Sequence, residues 1–436
     1  MRGSVKFLGT ALLAGGAASA AFAWQAQSAP KGAAVSRAAA YPAVRTLVEG
    51  YVAAKKMPGI VVGIGEGNAP TSFISAGSIA LEPTAPKADA DSLWRIYSMT
   101  KPVTGMAAMM LVEDGKLKLD QPIGDLIPAF RDMKVLTDPT GSLATRPAAR
   151  PITVRHLLTH TAGLGYSIIT KGPLLKEYER LGLNPAAVNA ALEVEARKTR
   201  PASLEEFANR VASLPLIADP GTRWSYSISL DVMGRVIEVA SGMSFEAFVQ
   251  TRVFDPLKMR STFWTVPQSA VGRLSSNFAW VGENRVPLDP AATSAWLNPP
   301  SFPYGGAGLV SSARDYDRFL HMLANGGTLD GVRVMKPATV ALAMSNLLPA
   351  GVVFGGVAGA TGGDSPALGF GAGGSVYLRD VPGGASKGTY GWGGAAGTVA
   401  WVDPVRKLRG TVMVNYFPSD KWPVRADVVG AVYGAR

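Results

Sequence analysis

The 436-residue sequence predicts an α/β fold of the α+β kind: an antiparallel sheet flanked by helices, completed by both chain ends, with a mainly helical domain inserted between them. Three observations carry this expectation. Strand-like runs occur near residues 59–76 and again near 398–416. Helical periodicity dominates the stretch between about 150 and 265. With 47% hydrophobic and 17% charged residues, the chain has enough apolar material for a large core.

The elements follow in order. Residues 1–23 combine Arg2 and Lys6, an apolar Ala/Gly/Leu stretch and the small-residue site Ala21-Phe22-Ala23, the three parts of a secretory signal cleaved after Ala23. Residues 24–37, rich in Ala, Pro, Ser and Gln, read as a linker, which leaves residues 38–436 as the folded domain. Its α/β part is expected at about 38–149 and 300–436, and its helical insert at about 150–299. Apolar spacing at Tyr41, Val44, Leu47, Val48 and Val52 predicts a helix, and the runs Gly59–Gly65 and Ser72–Ala76 predict a hairpin. From Ser98 the residues Val103, Met106, Ala107, Met110 and Leu111 keep helical spacing up to Asp114-Gly115, with Pro102 tolerable in the first turn. Leu230–Ala240 is a helix closed by Ser241-Gly242. Residues 351–374, glycine-rich and poor in charge, read as a long loop. Thr398–Val402 and Thr411–Tyr416 read as a final hairpin, separated by Asp403-Pro404 and Gly410. A cleft between the sheet and the helical insert is the natural place for a site.

Composition excludes several chemistries. The absence of cysteine removes disulfide frameworks, thiolate zinc sites, iron–sulfur clusters and cysteine nucleophiles. Only His156, His160 and His321 are available for a histidine-based triad. The net charge of +11 comes from scattered basic residues rather than runs, so it reads as solvated surface and no nucleic-acid partner is expected.

Three strings carry chemistry. Ser98-Met99-Thr100-Lys101 places a hydroxyl and an amine three residues apart, on one face of a helix. A buried amine near a helix N-terminus is disfavoured as a cation and can accept the serine proton. A second S-x-x-K match, Ser28 to Lys31, lies in the linker, where no helix aligns the pair. In Pro220–Ser227 a turn delivers Tyr226 just ahead of a helix, and a phenol beside an ammonium is a candidate general base or acid. Gly391–Gly397 leads into the last hairpin, where glycines let a strand approach a ligand and offer an N–H to an oxyanion. Taken singly, each string also fits a structural role: an N-cap serine, a core tyrosine, a tight bend.

Together, and with Ile152–Leu164 and Gly305–Ser312, these strings resemble the serine β-lactamase and penicillin-binding-protein superfamily. The similarity is greatest to the family VIII carboxylesterases, which share the class C β-lactamase fold. It runs from about Val44 to Tyr416. The resemblance implies Ser98 as nucleophile, Lys101 and Tyr226 as its activators and proton shuttle, and the N–H groups of Ser98 and Ala395 as the oxyanion hole. Two departures bear on the substrate. Where class C β-lactamases carry asparagine two positions after the tyrosine, this chain has Ile228; where they carry Lys-Thr-Gly on the late strand, it has Trp392-Gly393-Gly394. A lysine there would hold a β-lactam carboxylate, whereas tryptophan offers an apolar wall. Ile228, Trp392, Gly393 and Gly394 are therefore the expected substrate-binding positions. The implied activity is a periplasmic or secreted serine esterase acting on small, uncharged esters through an acyl-enzyme. Neither metal nor other cofactor is expected, and no stable membrane anchor once the leader is removed. A β-lactamase or D-alanyl-D-alanine carboxypeptidase is the enzymatic alternative, and a catalytically silent penicillin-fold binding protein the non-enzymatic one.

Other features take bland readings. His156 and His160 lie four apart, but the glutamate of a zinc-protease motif and a third ligand are missing. Gly305, Gly306 and Gly308 lack the Lys-Ser/Thr of a phosphate loop and read as a turn before a helix capped by Ser311 or Ser312. Ser386 lies in a G-x-S-x-G string, but Pro382-Gly383 precedes it and a glycine-rich strand follows, which is not the strand–turn–helix of a nucleophile elbow.

Overall fold

The strand runs at the two ends of the chain meet in one sheet, as a computed structural model describing residues 41–184, 187–356 and 368–434 shows. The leader and linker expected at 1–37 lie outside the described residues. Helix α1 (Pro42–Ala53) begins with Pro42, whose missing N–H needs no partner in a first turn, and leads into β1 (Gly59–Glu66) and β2 (Ser72–Gly77). β3 (Leu93–Arg95) and a 3₁₀ turn, Tyr97–Met99, deliver α2 (Thr100–Glu113). The short pair β4 (Lys134–Leu136) and β5 (Thr145–Pro147) precedes a mainly helical stretch. This contains α3 (Val154–Leu158), α4 (Gly172–Arg180), α5 (Ala190–Ala196), α6 (Leu204–Ala212), α7 (Ser229–Ser241), α8 (Phe245–Val249) and α9 (Asp255–Leu257). β6 (Asn277–Val281) and β7 (Asn284–Asp289) form a side ribbon, and β8 (Val310–Ser312) leads into α10 (Ala313–Ala324). After β9 (Thr328–Leu329), β10 (Val332–Arg333) and α11 (Pro337–Ala343) come β11 (Leu368–Phe370), β12 (Ser375–Tyr377) and β13 (Tyr390–Gly393). β14 (Val399–Asp403), β15 (Leu408–Met413), β16 (Tyr416–Phe417) and α12 (Val424–Gly434) complete the chain.

The main sheet is antiparallel throughout, in the order β11-β12-β13-β14-β15-β1-β2. Period-two alternation divides its side chains between two cores. Ile60, Val62 and Ile64 of β1, with Trp401 and Val412, pack outward with Val44 and Val48 of α1 and Val428 and Val432 of α12. Val61, Trp392, Ala400, Val402 and Met413 face inward with α2, which is buried from Thr100 to Leu111 because it runs through the middle of the molecule.

Three sequence expectations change. Residues 351–374 are not loop throughout: Leu368–Phe370 pairs with β12 as the edge strand β11, and 357–367 lie outside the described residues. Gly410 does not separate two strands but sits within β15 opposite Trp401, whose indole would be 2.3 Å from a Cβ there, so glycine lets the ring lie across the strand. Thr411–Tyr416 is likewise not one strand, since β15 ends at Met413 and Tyr416 pairs parallel to Phe278 of β6.

Candidate active site

Ser98 sits in the 3₁₀ turn before α2 rather than on the helix proper. That turn is held from several sides. Arg95, wholly buried, donates from Nε to Asp289 Oδ2 at 2.7 Å and from Nη1 to Ser275 O at 2.5 Å. Asn415, just past β15, exchanges hydrogen bonds with both backbone groups of Arg95. Breaking a buried pair of this kind costs about 3–5 kcal/mol, so β3 is firmly fixed. Tyr97 lies at φ +43° with its ring edge-on to Trp296 and Phe417, a strained conformation immediately before the nucleophile candidate. Thr100 Oγ1 accepts from Leu309 N–H at 3.1 Å, and the Tyr316 hydroxyl donates to Met99 O at 2.8 Å.

The three polar groups expected from separate strings meet here. Tyr226, delivered by a loop whose Ser225 and Gly221 N–H groups donate to His160 O and Thr161 O, donates its hydroxyl to Ser98 Oγ at 2.7 Å. Lys101 Nζ donates to Ser98 Oγ at 3.2 Å and to Gly306 O at 2.8 Å, and lies 4.5 Å from the centre of the Tyr226 ring. Lys101 is fully buried and Tyr226 nearly so, while Ser98 keeps partial exposure. A hydroxyl reachable from solvent, with an amine and a phenol on its oxygen, has what nucleophilic attack and proton transfer require.

The Gly391–Gly397 string approaches the same turn. A Cβ on Gly394 would come within 2.3 Å of Ile96 O, so only glycine allows this contact beside Ser98. Gly394 N–H donates to Thr398 O and Gly397 N–H to Gly394 O, closing a turn that leaves Ala395 exposed at its tip, with an N–H that has no acceptor among the described residues.

The expected substrate-binding positions differ among themselves. Trp392, 3% exposed, packs its ring at 5.1 Å from Phe370 and 5.8 Å from Tyr226, behind the tyrosine. Gly393 and Gly394 are buried in the strand and turn. Ile228 has no exposed surface and stands at the N-cap position of α7, its N–H donating to Gly165 O.

Sequence reasoning missed several neighbours. Asp231 on α7 is completely buried, accepts from Gly306 N–H at 2.8 Å, and has its carboxyl pushed up to about 7 by burial, against the opposing pull of Lys101. A carboxylate within the apolar 229–237 run was the available signal. Tyr166 lies 5.4 Å from the Tyr226 ring, and burial keeps it a neutral phenol by raising its pKa well above the ordinary value. His160 packs 4.8 Å from the same ring, and burial together with Lys101 holds it well below 6.5, hence neutral. Its Nδ1 accepts from Ser227 N–H, leaving the ring proton on Nε2. His156 belongs elsewhere, closing a capping box with Thr153 at the start of α3. Ser312 caps α10, and Ser386 lies in a buried turn with its N–H on Asp403 Oδ2. Among the described residues no three His, Asp or Glu side chains gather as metal ligands.

Comparison with known proteins identifies the family. The β-lactamase family profile matches residues 44–433. Esterase EstB of Burkholderia gladioli is 32% identical over 343 residues, covering 74% of this chain and 78% of its own. Acyltransferase calJ of Penicillium decumbens is 31% identical over 371 residues, covering 80% of each chain. The solved structure of EstCE1, a hydrolase with promiscuous acyltransferase activity, superposes with a TM-score of 0.74 at 24% identity, over 91% of this chain and 98% of that one. The chain belongs to the β-lactamase family, in the family VIII esterase branch of the serine β-lactamase and penicillin-binding-protein-like superfamily.

Proposed function

We propose that this protein is a serine esterase that hydrolyses small, uncharged carboxylic esters through an acyl-enzyme. The observation that carries the reading is the pair of hydrogen bonds on Ser98 Oγ, from Tyr226 at 2.7 Å and Lys101 at 3.2 Å. In this reading Lys101 and Tyr226 take up the Ser98 proton as Oγ attacks the ester carbonyl, and the N–H groups of Ser98 and Ala395 receive the developing oxyanion. Tyr226 returns the proton to the departing alkoxide, and water then attacks the acyl-enzyme through the same groups. Preference for uncharged esters is supported by the absence of a lysine at position 392, where the resembling class C β-lactamases carry one; the tryptophan here packs with the aromatic rings of Phe370 and Phe354. The esterase and acyltransferase relatives support both ester hydrolysis and acyl transfer. Export through cleavage after Ala23 belongs to the same proposal; mass spectrometry of the exported protein is expected to find it beginning at Trp24, and an intact Met1 would contradict it.

The test is labelling by a fluorophosphonate, localised by peptide mass spectrometry, together with kcat/KM for p-nitrophenyl butyrate and nitrocefin on one preparation. Labelling at Ser98 and a preference for the ester are expected. A preference for nitrocefin would replace this reading with a β-lactamase.

A further inference from the structure

The turn after β13 is fastened from the far side of the sheet. Arg425, in the first turn of α12, reaches the outer face of β13 and donates from Nη2 to Gly394 O and from Nε to Gly397 O, the latter at 3.3 Å. A Cβ on Gly393 would lie 3.0 Å from the guanidinium carbon, so the glycine of the strand makes room for this side chain. One cation thus bridges the carbonyls at the two ends of the turn whose tip is Ala395.

The consequence follows from the geometry of one peptide group. Gly394 C=O and Ala395 N–H belong to the same planar trans unit, in which the two bonds point in opposite directions. A guanidinium that draws the carbonyl toward α12 turns the N–H away from α12, toward the side of the sheet on which Ser98 lies. The carbonyl also accepts from Gly397 N–H, so two donors hold that plane. A positive charge on the oxygen further polarises the unit and makes its N–H a stronger donor. Without the clamp, a rotation of this peptide would aim a carbonyl at the site where a donor is required.

We propose that Arg425 is a positioning residue: from the C-terminal helix it sets the orientation of the Gly394–Ala395 peptide and so prepares the second oxyanion donor. The inference rests on the esterase reading for its catalytic consequence, but the orientation itself is testable without turnover. Burial holds the Arg425 pKa down to about 10, still a cation at neutral pH. The guanidinium also borders a cavity of about 290 Å³ between the sheet and α12, lined by Val399, Trp401, Val429 and Tyr433. A small cation can therefore approach the vacated position when the side chain is shortened.

The experiment compares wild type with Arg425→Ala and Arg425→Lys. Removing an oxyanion donor costs about 100- to 1,000-fold in kcat, so a loosened one is expected to cost about 10- to 100-fold, with KM changed by no more than about threefold and Ser98 still fully labelled. Ethylguanidinium should restore part of the Arg425→Ala loss and ethylammonium should not, since only a planar fork spans both carbonyls. Hydrogen exchange of the Gly394–Thr398 amides should quicken by about tenfold or more, with α7 unchanged. Should Arg425→Ala fail to fold, Arg425→Lys, which keeps bulk and charge, decides on the same readouts. A kcat within about twofold of wild type, or unchanged exchange across the turn, overturns the proposal. If wild type turns over no ester, the esterase reading falls, and exchange alone judges the clamp.

Discussion

Tyr226→Phe separates chemistry from packing at this site. The hydroxyl is bonded to Ser98 Oγ at 2.7 Å, while the ring lies 4.8 Å from His160, 5.4 Å from Tyr166, 5.8 Å from Trp392 and 4.5 Å from Lys101 Nζ. Phenylalanine keeps every ring contact and loses one hydrogen bond to a partly exposed partner, so stability should change by only about 0.5–1.5 kcal/mol. A general acid or base contributes about 100- to 10,000-fold, or roughly 3–5 kcal/mol of barrier. The expected outcome is a kcat/KM reduced by that factor in a protein that melts close to wild type. The loss should be larger for ethyl butyrate than for p-nitrophenyl butyrate, because nitrophenolate departs without needing a proton. Combined with Lys101→Met the losses should not add, since both groups serve one proton path. A loss under about tenfold, equal losses for both leaving groups, or additivity in the double variant would each refute the shared role of these residues.

Three further outcomes follow from the same geometry. Ser98→Ala should remove at least about 1,000-fold of ester turnover, and Ser386→Ala, in its buried turn, should stay within about twofold; more than a tenth of activity left in Ser98→Ala sinks the assignment. The Asp231 carboxyl titrates near 7 in the fold against 3.8 unfolded, so the native state binds the extra proton, and stability is full below pH 3.8 and declines as pH rises to about 7. Asp231→Asn, which keeps an acceptor for Gly306 N–H, should remove about 2–3 kcal/mol of that decline between pH 5 and pH 8 in urea denaturation, and an unchanged pH dependence would contradict it. Trp392→Ala should cost about 3–5 kcal/mol by thermal or urea denaturation, because the ring is 3% exposed and packed on Phe370 and Tyr226; a cost under about 1 kcal/mol would show that it is not part of the packed wall.

Much of this protein was determined by local pattern. The S-x-x-K spacing, the periodicity of α2 and α7, the alternation of β1 and β14 and the glycines around Trp392 are short-range features, because helical and strand periods and capping residues act over a few positions. They made Ser98, Lys101 and Tyr226 candidates, up to 128 residues apart, and the resemblance of the strings taken together to a known superfamily singled them out. What only the tertiary structure decided is which groups stand behind them. Arg95 finds Asp289, Asp231 finds the Gly306 peptide, and Arg425 finds the Gly394 carbonyl across separations of up to about two hundred residues, and no periodicity encodes such pairings. The edge strand Leu368–Phe370 was hidden for a related reason: its glycine-rich setting carries no alternation, and it is a strand because β12 offers it a row of hydrogen-bonding groups. Ile228, two positions after the tyrosine, shows the converse: the letter alone gives no burial, and the fold leaves it no exposed surface. The direction of a side chain is set by the backbone bend that packing imposes, and the order of letters does not contain it.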